Sequence, residues 1–267
     1  MARHVEGLVS LLLLCACVGD SPVGGPTDAS ADSPTTDAGG GDAAKDAAPT
    51  FCTGQTATKC IDFDGPGATF PDYLSDISSV GSAATLDVQD FHSAPQGMRA
   101  TMLANTTGVQ FASQAGGVVV LPSSGKRGLT ADFWMRINPY TLTTVNDQVA
   151  ILVFKINAQD GVTIAHTKGA SADTWSVTCT GPGTAVPMTA PLTLGTWAHY
   201  VLTMVFDVTA GTVRLDVDGV KVAEKTGFKT TSETTSNSLS AFFGTTSIFG
   251  KTPQVLTRVD DILLTVQ

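Results

Sequence analysis

Short segments in which apolar and polar residues alternate recur from residue 51 onward, and they constrain the fold more than any other feature. Segment 129–137 is the clearest case, because its apolar residues fall on one face and its polar residues on the other. Those polar residues are Thr130, Asp132, Trp134 and Arg136. A period of two is typical of a β-strand with one buried face. No apolar period of 3.6 persists, so the sequence predicts no helix.

Further strand patterns follow at short spacing, separated by Gly, Pro and Asp residues. Segment 149–156 is almost continuously apolar, as expected for a strand buried on both faces. The remaining predicted strands are 197–208, 213–217, 220–222 and 259–266, with Asp218-Gly219 as a tight turn. About a dozen short strands over roughly 215 residues predict one all-β domain, a two-sheet antiparallel sandwich over residues 51–267.

The N-terminal residues predict export. Residues 1–16 have the layout of a signal peptide, because their apolar stretch is too short to span a membrane. The stretch ends in Leu-Cys-Ala-Cys, which resembles a bacterial lipobox and places the small Ala16 before Cys17. We therefore predict lipidation of Cys17 and a membrane-anchored lipoprotein of the cell envelope, periplasmic or at the cell surface. The alternative is an ordinary cleaved signal with incidental cysteines.

Residues 17–50 are predicted to form a disordered tether between the lipid and the folded domain. After Cys17 they consist almost entirely of Gly, Ala, Pro, Ser, Thr and Asp, with two valines and no aromatic residue. Such a segment cannot bury enough apolar surface to offset the entropy lost on ordering. Its six Asp and one Lys also give it a net charge of −5, which favours an extended chain.

The acidic balance of the whole chain argues against nucleic-acid binding. There are 24 acidic and 15 basic residues, and no cluster of Lys and Arg occurs. A nucleic-acid interface requires a basic face. We therefore expect a glycan or other cell-surface ligand as the partner, and membrane contact only through the N-terminal lipid.

The cysteines predict one disulfide. In an exported protein, Cys52 and Cys60 are candidates for a bond, because they flank a polar turn at the start of the domain. Such a bond would fix the first strand where the tether ends. Cys179 is predicted to be a buried, inert thiol. A cysteine metal site is disfavoured because the sequence has no CxxC pair with a nearby His.

Four motifs, in the right order, resemble those of concanavalin A-like lectin/glucanase domains, especially the laminin-G-like branch. They are Asp62-Phe63-Asp64-Gly65, Leu129-Thr-Ala-Asp-Phe-Trp134-Met, Gly195-Thr-Trp197-Ala-His199-Tyr-Val201 with Gly211 to Val220, and Val259-Asp260-Asp261-Ile262. The match covers most of residues 60–267. The resemblance implies a jelly roll of two curved antiparallel sheets whose first and last strands are neighbours. It also implies a structural role for His199.

Glycoside hydrolysis is disfavoured. Sugar-cleaving members of the resembled family carry two glutamates on one strand, because the reaction needs two carboxyl groups across the scissile bond. The folded domain has only Glu224 and Glu233, and neither has a partner carboxylate at the required spacing. Asp216 and Asp218 share a strand face, but the hairpin turn explains them better.

A lyase activity is also disfavoured. Alginate-lyase-like sandwiches use a Q-x-H strand together with a Tyr and an Arg. His166 has no Gln two residues before it, and it is interpreted as a polar strand or hairpin residue. We therefore expect no enzymatic activity, with a divergent polysaccharide hydrolase or lyase as the rival hypothesis.

The resemblance also implies a structural calcium site. Related sandwiches often hold one Ca²⁺ between the first and last strands, and the matching positions are Asp62, Asp260 and the carbonyl of Gly97. Such an ion requires six to eight oxygen ligands, and its role here would be stabilising. The alternative is that these acids are solvated, or lie near Arg99 or Arg258.

The polar face of Asp132, Trp134 and Arg136, joined by Trp175, is the predicted ligand-binding site. Exposed aromatic rings with polar neighbours are suited to binding sugars. The alternative is that a loop or the second sheet covers Trp134, which then only packs. The sequence thus predicts a lipoprotein whose β-sandwich binds a glycan or other ligand without cleaving it. A protein-recognising adhesion or scaffold module remains a further alternative.

Overall fold

The computed structural model describes residues 51–64, 70, 74–79, 81–106, 112–122, 127–157, 160–232 and 237–267, without the side chains of 247–249. These residues belong to a compact unit that spans Ala48–Gln267. They contain fifteen β-strands and no helix. No helical segment among them has the length and apolarity needed to cross a membrane. The predicted signal peptide, the lipidation site at Cys17 and the tether lie outside the described residues.

Eight strands form the larger antiparallel sheet. They are β1 (Lys59–Ile61), β3 (Ala83–Asp87), β4 (Gly97–Met102), β6 (Arg127–Ile137), β11 (Trp197–Phe206), β12 (Gly211–Val217), β13 (Val220–Phe228) and β15 (Val255–Val266). Their spatial order is β13-β12-β11-β6-β15-β4-β3, and β1 pairs with β15 beside this path. The sheet thus combines segments from both ends of the domain.

Seven strands form the second antiparallel sheet. They are β2 (Ser75–Asp76), β5 (Ala112–Val120), β7 (Gln148–Lys155), β8 (Gly161–Thr167), β9 (Thr174–Cys179), β10 (Thr184–Pro187) and β14 (Ser238–Phe249). Their spatial order is β10-β9-β8-β7-β14-β5-β2. The two sheets confirm the predicted sandwich.

The first and last strands are neighbours, as the motif resemblance implied. Ile61 in β1 is directly opposite Ile262 in β15. The predicted disulfide between Cys52 and Cys60 is present, with a Cα–Cα distance of 5.6 Å. Because Cys60 lies within β1, this bond attaches the start of the domain to the larger sheet.

The alternating pattern of β6 is confirmed by its burial. Phe133 and Met135, like the other apolar residues of this strand, are at most 1% exposed, whereas the intervening polar residues are half-buried on the outward face. In β7 the six residues 149–154 are all buried, which confirms a strand covered on both faces. Cys179 is a buried free thiol, and burial raises its pKa to about 11, so it stays protonated and unreactive.

Candidate functional site

Three of the predicted ligand-binding residues lie together on the outward face of β6. Asp132, Trp134 and Arg136 alternate with core residues, so the period of two places them in a row. The neighbouring β11 continues this face, because Trp197 is opposite Arg136 and His199 is opposite Trp134. The candidate face is defined as these five residues with His92 and Asp90 from the loop between β3 and β4.

His92 lies on the ring of Trp134. The two rings are stacked, with centroids 3.8 Å apart and an interplanar angle of 10°. His92 also meets the edge of Trp197 at 6.0 Å. A loop therefore covers one face of the Trp134 indole. This agrees in part with the alternative interpretation of the sequence, in which a loop or the second sheet covers Trp134. Trp134 and Trp197 remain half-buried rather than fully buried.

Two adjacent acids of β15 hold the covering loop. The backbone N–H groups of His92 and Ser93 each donate to Asp260 Oδ2 at 2.9 Å. Asp261 Oδ2 lies 2.8 Å from His92 Nδ1, and Asp261 Oδ1 accepts a bond from the Ser93 hydroxyl at 2.7 Å. The β6–β15 ladder has a bulge here, and Asp261 has φ 51°. This geometry lets both neighbouring carboxylates form hydrogen bonds with the loop.

His199 and Asp132 form a second imidazole–carboxylate pair on the other side of Trp134. His199 Nε2 lies 2.6 Å from Asp132 Oδ1, and the two side chains are 32% and 35% exposed. The His199 ring is 5.1 Å from that of Trp134. Its backbone N–H donates to Asp218 Oδ1 in the hairpin turn. His199 therefore orders neighbouring strands, as the resemblance implied, and still presents a polar group on the face.

Asp90 joins the loop to the arginines of the sheet. Its Oδ2 accepts a bond from Arg136 at 2.8 Å, and its Oδ1 accepts one from the Trp197 indole N–H at 3.2 Å. Arg258 Nε is also 3.2 Å from Asp90 Oδ2. A single carboxylate thus fixes the orientation of the indole and of one guanidinium on the candidate face.

Of the predicted calcium ligands, Gly97 and Asp260 are close together, and the carboxylates of Asp62 and Asp260 both accept hydrogen bonds. A Cβ on Gly97 would be 3.3 Å from Asp260 Oδ2. The Asp260 oxygens accept backbone N–H groups, and Asp62 accepts one from Cys52. Burial, reinforced by the charge of Asp261 and opposed by the N–H donors, raises the pKa of Asp260 to about 7.

Asp64 lies near the same acids. Its Oδ1 is buried without a hydrogen-bond partner. Burial, followed by the charges of Asp62 and Asp261, raises its pKa. Among the described residues, no group of three or more His, Cys, Asp or Glu side chains is arranged to hold a metal. Calcium binding stays a prediction.

Trp175 does not lie on the candidate face. It belongs to β9 of the other sheet, is 7% exposed, and stacks on His166 with ring centroids 4.4 Å apart. His166 Nδ1 is 2.9 Å from the Tyr140 hydroxyl. Burial raises the pKa of Tyr140 and lowers that of His166, so both stay neutral at neutral pH. His166 Nε2 also lies 3.4 Å from Asp173 Oδ2, so both nitrogens of this ring have partners.

The other carboxylates weighed for catalysis have partners. Asp216 receives two bonds from Arg214, each 2.7 Å long. Glu224 is paired with Lys221. Asp218 lies in the turn after β12 with φ 50°, and its carboxylate accepts a hydrogen bond from the backbone N–H of His199. Glu233 lies outside the described residues.

A family profile described as the concanavalin A-like lectin/glucanases superfamily matches residues 104–262. The chain belongs to this superfamily. No curated protein sequence matches the chain. This concanavalin A-like sandwich resembles an endo-β-1,4-glucuronan lyase from the fungus Trichoderma reesei, with 13% identity and a TM-score of 0.55 over 79% of this chain and 96% of that one.

Two further similar structures illustrate the range of the superfamily. A β-1,3-glucanase from Mycobacterium marinum has 12% identity and a TM-score of 0.47, with 79% of this chain and 99% of that one covered. The Emp47p carbohydrate recognition domain has 10% identity and a TM-score of 0.45, with 78% and 94% covered. At such identities the likeness concerns the fold alone, and concanavalin A-like sandwiches include lyases, hydrolases and lectins.

Sequence reasoning missed the loop residues of the candidate face. His92 and Asp90 lie in the polar stretch between β3 and β4, where no periodicity assigns a direction to a side chain. Trp197 belongs to the Gly195–Val201 motif, which predicts the fold but does not assign Trp197 to the binding site. Its position opposite Arg136 follows from the pairing of β11 with β6, which the concanavalin A-like resemblance implied only in outline.

Proposed function

We propose that the candidate face binds a carbohydrate without cleaving it. The observation that carries this proposal is the grouping of Trp134 and Trp197 on neighbouring strands, both half-buried and surrounded by hydrogen-bonding side chains. Aromatic surface with a few fixed polar groups is the usual composition of a sugar-binding site. The superfamily, which includes lectins, is consistent with this function.

The stacked pair of His92 and Trp134 is the proposed platform for a sugar ring. The His92 side chain is 31% exposed, so part of its ring remains open above Trp134. Asp132 and His199 on one side, and Arg136 on the other, supply acceptors and donors for hydroxyl groups. Because Asp261 and Asp90 already orient these side chains, binding would require little further ordering.

The absence of cleavage is part of the proposal. Hydrolysis needs one carboxyl group as acid and another as base or nucleophile. On the candidate face, Asp132 is bonded to His199 and Asp90 to Arg136 and Trp197, so both carboxylates already have side-chain partners.

Binding of the full chain to a glycan array tests the proposal. Trp134→Ala removes the platform, and we expect at least about a tenfold loss of affinity for the glycans that the unaltered chain retains. Phe242→Ala is the matched control, because Phe242 is a half-buried aromatic residue paired with Val153 in the other sheet. Thermal melting of both variants checks their folding.

The outcomes separate the hypotheses. Loss of binding in Trp134→Ala with retention in Phe242→Ala supports the candidate face. The reverse result would move the site to the other sheet and refute the proposal. Absence of retention of any glycan would favour a protein ligand. A product assay on each bound glycan completes the test, because new reducing or unsaturated chain ends would show an enzyme.

A further inference from the structure

Three arginines lie side by side across the larger sheet. Arg258 in β15 is directly opposite Arg99 in β4 on one side and Arg136 in β6 on the other. Directly opposite residues of paired strands have Cβ atoms about 5 Å apart, and like charges at this distance destabilise the sheet. The arginine row, defined as these three residues, therefore needs neighbouring negative charge.

Two carboxylates of the described residues contact the arginine row. Arg258 Nε is 2.9 Å from Asp87 Oδ2, and Asp90 contacts both Arg258 and Arg136. Arg99 is near enough to Asp87 for its charge to help lower the pKa of that carboxyl, but it makes no ion pair within 4 Å of a described residue, and its Nε is buried without a hydrogen-bond partner. Two carboxylates thus pair directly with two of the three guanidinium groups, and Arg99, at the β4 end, has no carboxylate in direct contact.

We infer that Arg99 binds an anionic group, a carboxylate or a sulfate, carried by the glycan. This inference rests on the proposed function, because the arginine row begins beside the candidate face: Arg136 is opposite Trp197 and two residues from Trp134. Because β4 is two strands from β6, Arg99 is roughly 10 Å across the sheet from the strand of Trp134, within the length of a short oligosaccharide. The planar guanidinium group suits such anions, since it can donate two parallel hydrogen bonds.

The overall charge of the protein does not favour an anionic glycan, so a preference for one must come from the binding site. A chain with a formal net charge of −9 repels polyanions at long range. Binding of an anionic glycan therefore cannot arise from diffuse attraction and requires a local cationic group. Such binding should also weaken as salt is added, because the pairing is electrostatic.

The test is calorimetric titration of the full chain with matched probes. An oligogalacturonate is compared with the same oligomer after reduction of its carboxyl groups to alcohols, and dextran sulfate is compared with dextran. We expect the charged member of at least one pair to bind about tenfold or more tightly. The pair that shows the preference distinguishes carboxylate from sulfate.

Two variants locate the preference at Arg99. Arg99→Gln should abolish the preference for the charged probe and leave affinity for the neutral probe unchanged. Thr85→Glu should do the same, because Thr85 is exposed and directly opposite Arg99, so the new carboxylate supplies the missing charge. It should also raise the melting temperature. Arg214→Gln is the control, since Arg214 is 50% exposed and lies in the same sheet outside the arginine row.

Retention of the preference in Arg99→Gln and Thr85→Glu would overturn the inference. Equal or tighter binding of the neutral probes by the unaltered chain would also overturn it, but would leave the proposed function intact. The proposed function alone holds if Trp134→Ala loses binding to the neutral probes while neither the unaltered chain nor any variant prefers the charged probes. Absence of binding to every probe, together with a negative glycan array, refutes both proposals.

Discussion

Individual carboxylates determine the local geometry of this protein. Asp90 fixes Trp197, Arg136 and Arg258, which come from three different strands. Asp260 and Asp261 hold the loop that places His92 on Trp134. Each of these acids accepts several bonds, so removal of one leaves several donors unsatisfied. Effects of such substitutions should therefore exceed those of a single surface ion pair.

Asp160 provides a test of this principle away from the candidate face. It is 1% exposed, and its Oδ2 accepts bonds from Ser232 N–H at 2.8 Å and from the Thr231 hydroxyl at 3.0 Å. Burial tends to raise its pKa, but these bonds, with those from Asn157 and the Ser232 hydroxyl, outweigh burial and hold its pKa below the usual value. The ionised form is therefore favoured in the folded state.

A carboxylate with a lowered folded pKa contributes stability that is fully present above its unfolded pKa of about 4. That stability is lost as the pH falls through the folded pKa. We expect Asp160→Asn to lower the free energy of unfolding by about 2 kcal/mol at neutral pH, with a smaller deficit at pH 3. Urea unfolding of both proteins at each pH measures this. A deficit independent of pH would contradict the role assigned to the ionised form.

The sequence predicted the outward direction of Asp132, Trp134 and Arg136 because strand periodicity alone decides it. It could not predict that His92 covers Trp134, because the direction of a loop residue depends on its long-range partners. Those partners, Asp260 and Asp261, lie more than 160 residues further along the chain. It also grouped Trp175 with residues that belong to the other sheet.

At the scale of elements, the predicted strands correspond to observed ones with shifted ends. The strand predicted at 220–222 extends to Phe228, and the one predicted at 259–266 begins at Val255. The central strand β14 was not predicted, because its sequence lacks strict alternation and contains Gly244. Gly244 has φ 125°, and its ladder with β7 shifts register just after Phe243. An irregular strand such as β14 does not show the alternation of apolar and polar residues from which a strand is predicted.

This irregularity predicts an unusual sensitivity at Gly244. A Cβ there would lie 2.3 Å from the carbonyl oxygen of Ser113, whereas a Cβ on Gly219, which also has positive φ, would meet nothing within 4 Å. Gly219→Ala should cost about 1 kcal/mol, from backbone strain alone. Gly244→Ala should cost about 3 kcal/mol, because the strand must also shift. Chemical denaturation of both variants compares them, and equal costs would refute the clash.

At the scale of the whole molecule, the pairing of β1 with β15 brings the acids near the first strand to those of the last. The sequence predicted this pairing through the family resemblance, since no local pattern reports which strands are neighbours. Ligands that join the two ends should therefore stabilise the whole sandwich. Calcium is the predicted ligand, and Asp64, with a buried oxygen that has no partner, is the residue that favours it most.

Thermal melting tests the calcium prediction. Added Ca²⁺ should raise the melting temperature of the full chain, and a chelator should reverse the increase, because an ion bound only by the folded state shifts the equilibrium. Asp64→Asn should abolish the response, whereas Asp76→Asn, an exposed acid in β2 of the other sheet, should preserve it. An unchanged melting temperature with and without the ion would remove calcium from the description of this protein.

The predicted lipid anchor sets how the sandwich would meet its ligand. As the predicted tether, residues 18–50 would have a root-mean-square span of roughly 30 Å, and the −5 charge of their sequence would extend it further. The candidate face would then sample glycans near the membrane surface at a high effective concentration, so even weak binding would suffice.

Metabolic labelling with a fatty acid in a bacterial host tests the anchor. Cys17→Ala should abolish labelling and release the protein into the soluble fraction. Cys15→Ala should remain labelled, because Ala16 still precedes Cys17. Labelling of Cys17→Ala would place the lipid on another residue, whereas absence of label from both the unaltered chain and Cys15→Ala would refute the anchor. The sandwich would then have to retain its glycan by the affinity of the candidate face alone.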